Sequence, residues 1–78
     1  MKIRINKKHL QQGCVFTFNH TCFNGKKESI ILKPFLSELD NTIMYYTLHF
    51  KTESGNYFRF FNDYIAARKW LTEQTKNW

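Results

Sequence analysis

The chain has 78 residues, twelve Lys and Arg against six Asp and Glu, and a formal net charge of +6. That length predicts one domain, 1–78, near the small end of what folds alone; with no run of 18 apolar residues it excludes a membrane-spanning helix. Eight Phe, four Tyr and two Trp supply the burial that length does not, because each ring removes a large area from water.

Charge is unevenly spread. Residues 1–27 carry Lys2, Arg4, Lys7, Lys8, Lys26 and Lys27 and no acid, and all six acids lie from Glu28 onward. A one-sided field of this kind favours a polyanion or an acidic protein surface. Met1-Lys2-Ile3-Arg4-Ile5 is followed by Asn6-Lys7-Lys8 rather than by an apolar stretch, so no signal peptide is read and a cytoplasmic protein is expected. Cys14 and Cys22 are too few for a disulfide framework. On one extended strand they would stand roughly 26 Å apart, against the Cα separation of about 7 Å that a disulfide tolerates. Free thiols, buried as small hydrophobes, are expected.

In chain order, Lys2 to Asn6 alternates and predicts a short first strand, Ile3 and Ile5 inward. Lys7 to Gly13 is polar apart from Leu10 and predicts a loop containing an exposed His9. Cys14 to Cys22 predicts a strand with Cys14, Phe16, Phe18, His20 and Cys22 on one face. Phe23-Asn24-Gly25 follows, read as a three-residue turn with a bulge at Gly25. It pairs Phe16 with Leu32, Phe18 with Ile30 and His20 with Glu28. A two-residue Asn-Gly turn is the stronger generic signal, but it would set Ile30 and Leu32 across from Asn19 and Thr17. Glu28 to Lys33 predicts a strand stopped by Pro34, which cannot donate to a ladder. Phe35 to Asn41 reads as a connection, with Ser37 capping one helical turn and Phe35, Leu36 and Leu39 tucked beneath it.

Thr42 to Thr52 alternates again. Met44, Tyr46, Leu48 and Phe50 point one way; Tyr45, Thr47, His49 and Lys51 point the other. Glu53-Ser54-Gly55 is read as a second three-residue turn, so that Phe50 faces Phe58 and Leu48 faces Phe60 on an apolar side. Asn62 is the expected N-cap of a helix over 63–76, with Tyr64, Ala67, Trp70 and Leu71 on its apolar side. The predicted fold is α+β: an antiparallel four- or five-stranded sheet with one C-terminal helix packed on one face.

With one face covered, the other is expected to carry Tyr45, Thr47, His49, Lys51, Tyr57, Arg59 and Phe61. Exposed rings interleaved with cations are what single-stranded nucleic-acid platforms use, bases stacking while Lys and Arg neutralise phosphates. The candidate binding residues are Tyr45, His49, Lys51, Tyr57 and Arg59 on the sheet, with Lys2, Arg4, Lys7, Lys8, Lys26 and Lys27 around it. His49 beside Arg59, with Tyr57 and Lys51 near, also has the parts of a small metal-independent ribonuclease: a base, a phosphate clamp and a second proton donor. No carboxylate on that face would orient the histidine, so no enzyme is expected. His20, Cys22 and Glu28 could meet at one end of the sheet, but the paired Cys-x-x-Cys spacing is absent and no metal or other cofactor is expected.

Gly55-Asn56-Tyr57-Phe58-Arg59-Phe60-Phe61-Asn62-Asp63-Tyr64-Ile65-Ala66-Ala67-Arg68-Lys69-Trp70-Leu71 resembles the ending of the arm-type DNA-binding modules of phage integrases. There a final strand ends in an aromatic, a polar cap follows, and an Ala-x-x-Trp-Leu helix packs on a three-stranded sheet. The segment is also similar to the strand–cap–helix ending of short phage inhibitors of host defence, including some anti-CRISPR proteins. It covers 17 of 78 residues, no recombinase domain follows it, and the first 40 residues match neither pattern. The resemblance implies DNA read by the exposed sheet face, on the side of Tyr57 and Arg59. Together these readings predict a non-catalytic basic binding protein of a phage or mobile element, docking on nucleic acid or a nucleoprotein complex. A protein-binding inhibitor of a host nuclease or defence complex is the alternative, and a small ribonuclease the third. Neither a membrane nor a small-molecule substrate is expected as partner, and the oligomeric state stays open.

Overall fold

A computed structural model of the chain describes residues 4–76 and 78. Its elements are α1 (Lys7–Gln11), β1 (Phe16–Thr21), β2 (Lys27–Leu36), β3 (Ile43–Thr52), β4 (Gly55–Phe61) and α2 (Tyr64–Thr75). The strands form one open antiparallel sheet in the order β1-β2-β3-β4, and α2 packs across one face of it, as the patterning predicts. Leu10, Phe18, Ile30, Leu32, Tyr46, Leu48, Ala67 and Leu71 form the buried core, with Phe16, Phe50, Phe61, Trp70 and Trp78 packed around them. Among the described residues no helix is long and apolar enough to cross a membrane.

The first hairpin has the expected register: Phe16 pairs with Leu32, Phe18 with Ile30 and His20 with Glu28. Gly25 adopts φ +86° and its N–H donates to the Cys22 carbonyl at 2.9 Å, a turn that needs the left-handed backbone only glycine enters freely. β1 itself is shorter than predicted, and Cys14 is exposed rather than buried, since it precedes the strand; Cys22 is half-buried and both thiols are free.

Four further expectations are corrected. The segment read as a loop contains α1, capped by Asn6, whose side-chain oxygen accepts the Lys8 N–H at 2.9 Å; five residues with one buried leucine are too short to display a helical period. Of the predicted first strand, Lys2 and Ile3 lie outside the described residues, and Arg4 to Asn6 pair with no strand. Pro34 does not end β2. It pairs with Tyr46 on β3, two residues past the last β1 rung at Leu32, where β2 has a neighbour on one side only. Beyond it the register shifts between Phe35 and Leu36, so Met44 bulges out to solvent and Ile43 takes its place against the core. The connection after β2 is a turn rather than a helix. The Ser37 hydroxyl does accept the Leu39 N–H at 3.2 Å, but Leu39 is 97% exposed instead of tucked in.

The largest correction is the second hairpin. Thr52 pairs with Gly55, so the loop is the two residues Glu53 and Ser54. Phe50 therefore faces Tyr57, His49 faces Phe58, Leu48 faces Arg59 and Thr47 faces Phe60. A slip of one residue moves every side chain of β4 to the other face. Tyr57, Arg59 and Phe61 turn toward α2, and Phe58 and Phe60 turn away from it. At the start of α2 the cap is Asp63, not Asn62: it holds extended backbone angles and its carboxylate accepts the Ile65 N–H at 3.3 Å.

Candidate nucleic-acid interface

The register arranges the side chains of the uncovered face in rows across the strands. At the hairpin end, Asn19, Ser29, Lys51 and Asn56 make a polar row. Next come Thr17, Ile31, His49 and Phe58, then Lys33, Thr47 and Phe60, and last Phe35 and Tyr45. Phe35 and Tyr45 stack at 4.8 Å between centroids, and the Tyr45 ring meets Phe60 at 6.3 Å. His49 stacks on Phe58 at 4.2 Å with 18° between the planes. Asn56 Oδ1 lies 3.3 Å from His49 Nε2 and steadies that ring. The Lys33 ammonium sits 5.2 Å above the Phe35 ring, at the distance where a cation gains from a ring's negative face. Phe58 and Phe60 nevertheless remain 54% and 67% exposed.

Three of the five sheet residues expected at the site are therefore present: Tyr45, His49 and Lys51 share the uncovered face. Tyr57 and Arg59 do not. Tyr57 meets Phe50 edge-on at 6.3 Å. With Arg59, Trp70 and Gln74 it lines a groove on the α2 side, where Arg59 Nη1 donates to the Phe58 carbonyl at 2.8 Å. Phe61, also expected on the uncovered face, is half-buried against Trp70 at 6.4 Å. Among the basic residues, Lys27 lies on the uncovered face and Lys26 in the turn beside it. Arg4, Lys7 and Lys8 are exposed around α1, and Lys7 Nζ sits 4.8 Å over the Tyr64 ring on the α2 side. Lys2 lies outside the described residues. The residues missed were Phe35, Phe58, Phe60 and Lys33. Phe35 was hidden by reading Pro34 as a stop. Phe58 and Phe60 were within reach of a two-residue loop, the register that leaves both in water.

The same geometry separates the parts of the ribonuclease arrangement. His49 and Arg59 project from opposite faces, so the expected base and phosphate clamp do not meet. His20 does oppose Glu28, but its ring stacks on Trp78 at 5.1 Å and 10°. Among the described residues no three or more His, Cys, Asp or Glu are grouped to hold a metal ion. Partial burial, and then the neighbouring Glu28 carboxylate, push the Cys22 thiol above its ordinary value, which keeps it protonated and a poor nucleophile.

The face offers rings whose centroids lie 4.2 to 6.3 Å apart, backed by the strand ladder and bordered by Lys27, Lys33 and Lys51. Comparison with protein-family models, curated proteins and solved structures finds no match.

Proposed function

We propose that this is a cytoplasmic, non-catalytic binding protein that docks on single-stranded nucleic acid through the uncovered face of its sheet. One observation carries the reading: Phe35, Tyr45 and Phe60 stand in contact, and Phe58 stacks on His49, on the face that α2 leaves uncovered, with lysines at its borders. A patch of exposed rings is costly in water unless a partner covers it. Base stacking on such rings is worth about 1–3 kcal/mol per base, and lysines add the phosphate contribution. The phage-module resemblance of residues 55–71 points to nucleic acid as well, although the residues it implicates, Tyr57 and Arg59, lie on the α2 side.

Anisotropy of a labelled single-stranded oligonucleotide tests the proposal. With two or three phosphates contacted, affinity should fall roughly tenfold between about 50 and 200 mM salt. No measurable binding at the lower salt overturns it. The apolar middle of the face, Phe58 and Phe60, favours a second reading: docking on an acidic protein surface of a host nuclease or defence complex. In that case a complex captured from host lysate survives nuclease treatment while the oligonucleotide does not bind.

A further inference from the structure

We propose that the cleft at the hairpin end of the sheet reads a base and selects guanine. The inference rests on the nucleic-acid reading above and supplies what a ring platform lacks, because every base has a π-face and stacking alone is tolerant of sequence.

Same-face side chains along a strand lie two residues, about 6.6 Å, apart, a distance comparable to the width of a purine. The row beside the His49–Phe58 pair therefore lies within one base width of it. Asn19, Ser29 and Lys51 of that row line a cleft of about 580 Å³, together with Lys27, Glu53 and Glu28. Among the described residues, Lys27 and Lys51 form no ion pair with Glu53 or Glu28. Ammonium donors and carboxylate acceptors are thus both left for a ligand, Glu53 being the one in the loop next to Lys51.

Charge narrows the choice. A phosphate entering this cleft meets the Glu53 carboxylate and is repelled by it. A base edge carrying an acceptor beside two adjacent donors satisfies both signs. Guanine has that edge: O6 accepts from the Lys51 ammonium, while N1–H and the 2-amino group donate side by side to the two oxygens of Glu53. Adenine, cytosine and uracil or thymine lack adjacent ring and amino donors of this kind, so a carboxylate gains at most one bond from them. Lys33 and Lys27, on either side, remain for the backbone phosphates.

The test uses the full chain and short labelled single strands that differ at one central base: guanine, inosine or adenine. Guanine should bind about tenfold tighter than inosine, which lacks only the 2-amino group, a factor within the range of one lost bidentate contact. Glu53→Gln should erase that preference without weakening the inosine strand. Equal binding of guanine and inosine strands by the unsubstituted protein overturns the pocket while leaving the platform standing. A preference that survives Glu53→Gln overturns it too. Failure of every strand to bind overturns the underlying nucleic-acid reading instead.

Discussion

Asp40 shows how much one side chain can fix at the tip of a connection. Its carboxylate accepts the Thr42 hydroxyl at 2.8 Å and the Thr42 N–H at 3.1 Å. The Thr42 hydroxyl, first, and then the backbone N–H hold its carboxyl below the usual carboxylate range. Asn41 between them sits at φ +59°, a region that Asn tolerates better than most residues. A carboxyl lowered by folding adds stability that is fully present above its unfolded value and is lost as pH falls through the lowered one. Thr42→Val should therefore raise the midpoint of the Asp40 carboxyl titration followed by NMR. It should also shrink the Asp40 share of acid destabilisation. An unchanged midpoint contradicts this account of the turn.

At the scale of elements, the two hairpins explain what could and could not be read ahead of the structure. In β1 and β2 the apolar residues keep to one parity where the strands pair, Phe16 and Phe18 against Ile30 and Leu32, so only one register buries them. In β4 aromatics occupy both parities: Tyr57 and Phe61 on one, Phe58 and Phe60 on the other. Hydrophobic alternation cannot choose between two such registers, and the turn decides. Glu53 and Ser54 close it in two residues, with the Thr52 hydroxyl 3.0 Å from that of Ser54 and donating to the Gly55 carbonyl at 3.1 Å. The place of β3's uncovered residues Tyr45, His49 and Lys51 was legible because β3 alternates from Tyr45 to Lys51, past the bulge at Met44. The place of β4's residues was not. Nuclear Overhauser contacts between the His49 and Phe58 rings should be strong, with the rings 4.2 Å apart. Contacts from Phe58 to Phe50, in place of these, would restore the rejected register.

For the whole molecule, one layer of helix over one layer of sheet leaves the two sheet faces in different surroundings. The covered face holds the protein together. Leu71 is fully buried between α2 and the sheet, and Leu71→Ala should cost about 2–5 kcal/mol, read as a lower urea midpoint. Phe60→Ala removes a ring that is mostly in water and touches Tyr45 from one side, so its cost should stay below about 1 kcal/mol. A larger loss from Phe60 than from Leu71 would mean that the core lies on the other side of the sheet.

The uncovered face is the one assigned to binding, and a comparison of two variants examines that division most directly. In the oligonucleotide anisotropy assay at low salt, the pair Phe58→Ala and Phe60→Ala together should lose at least about tenfold in affinity, the loss expected if a single stacked base goes. Tyr57→Ala, on the α2 side, should stay within about twofold of the unsubstituted protein if both variants remain folded. Equal affinity for the double variant and the parent, or a greater loss from Tyr57 than from the two phenylalanines, contradicts the assignment.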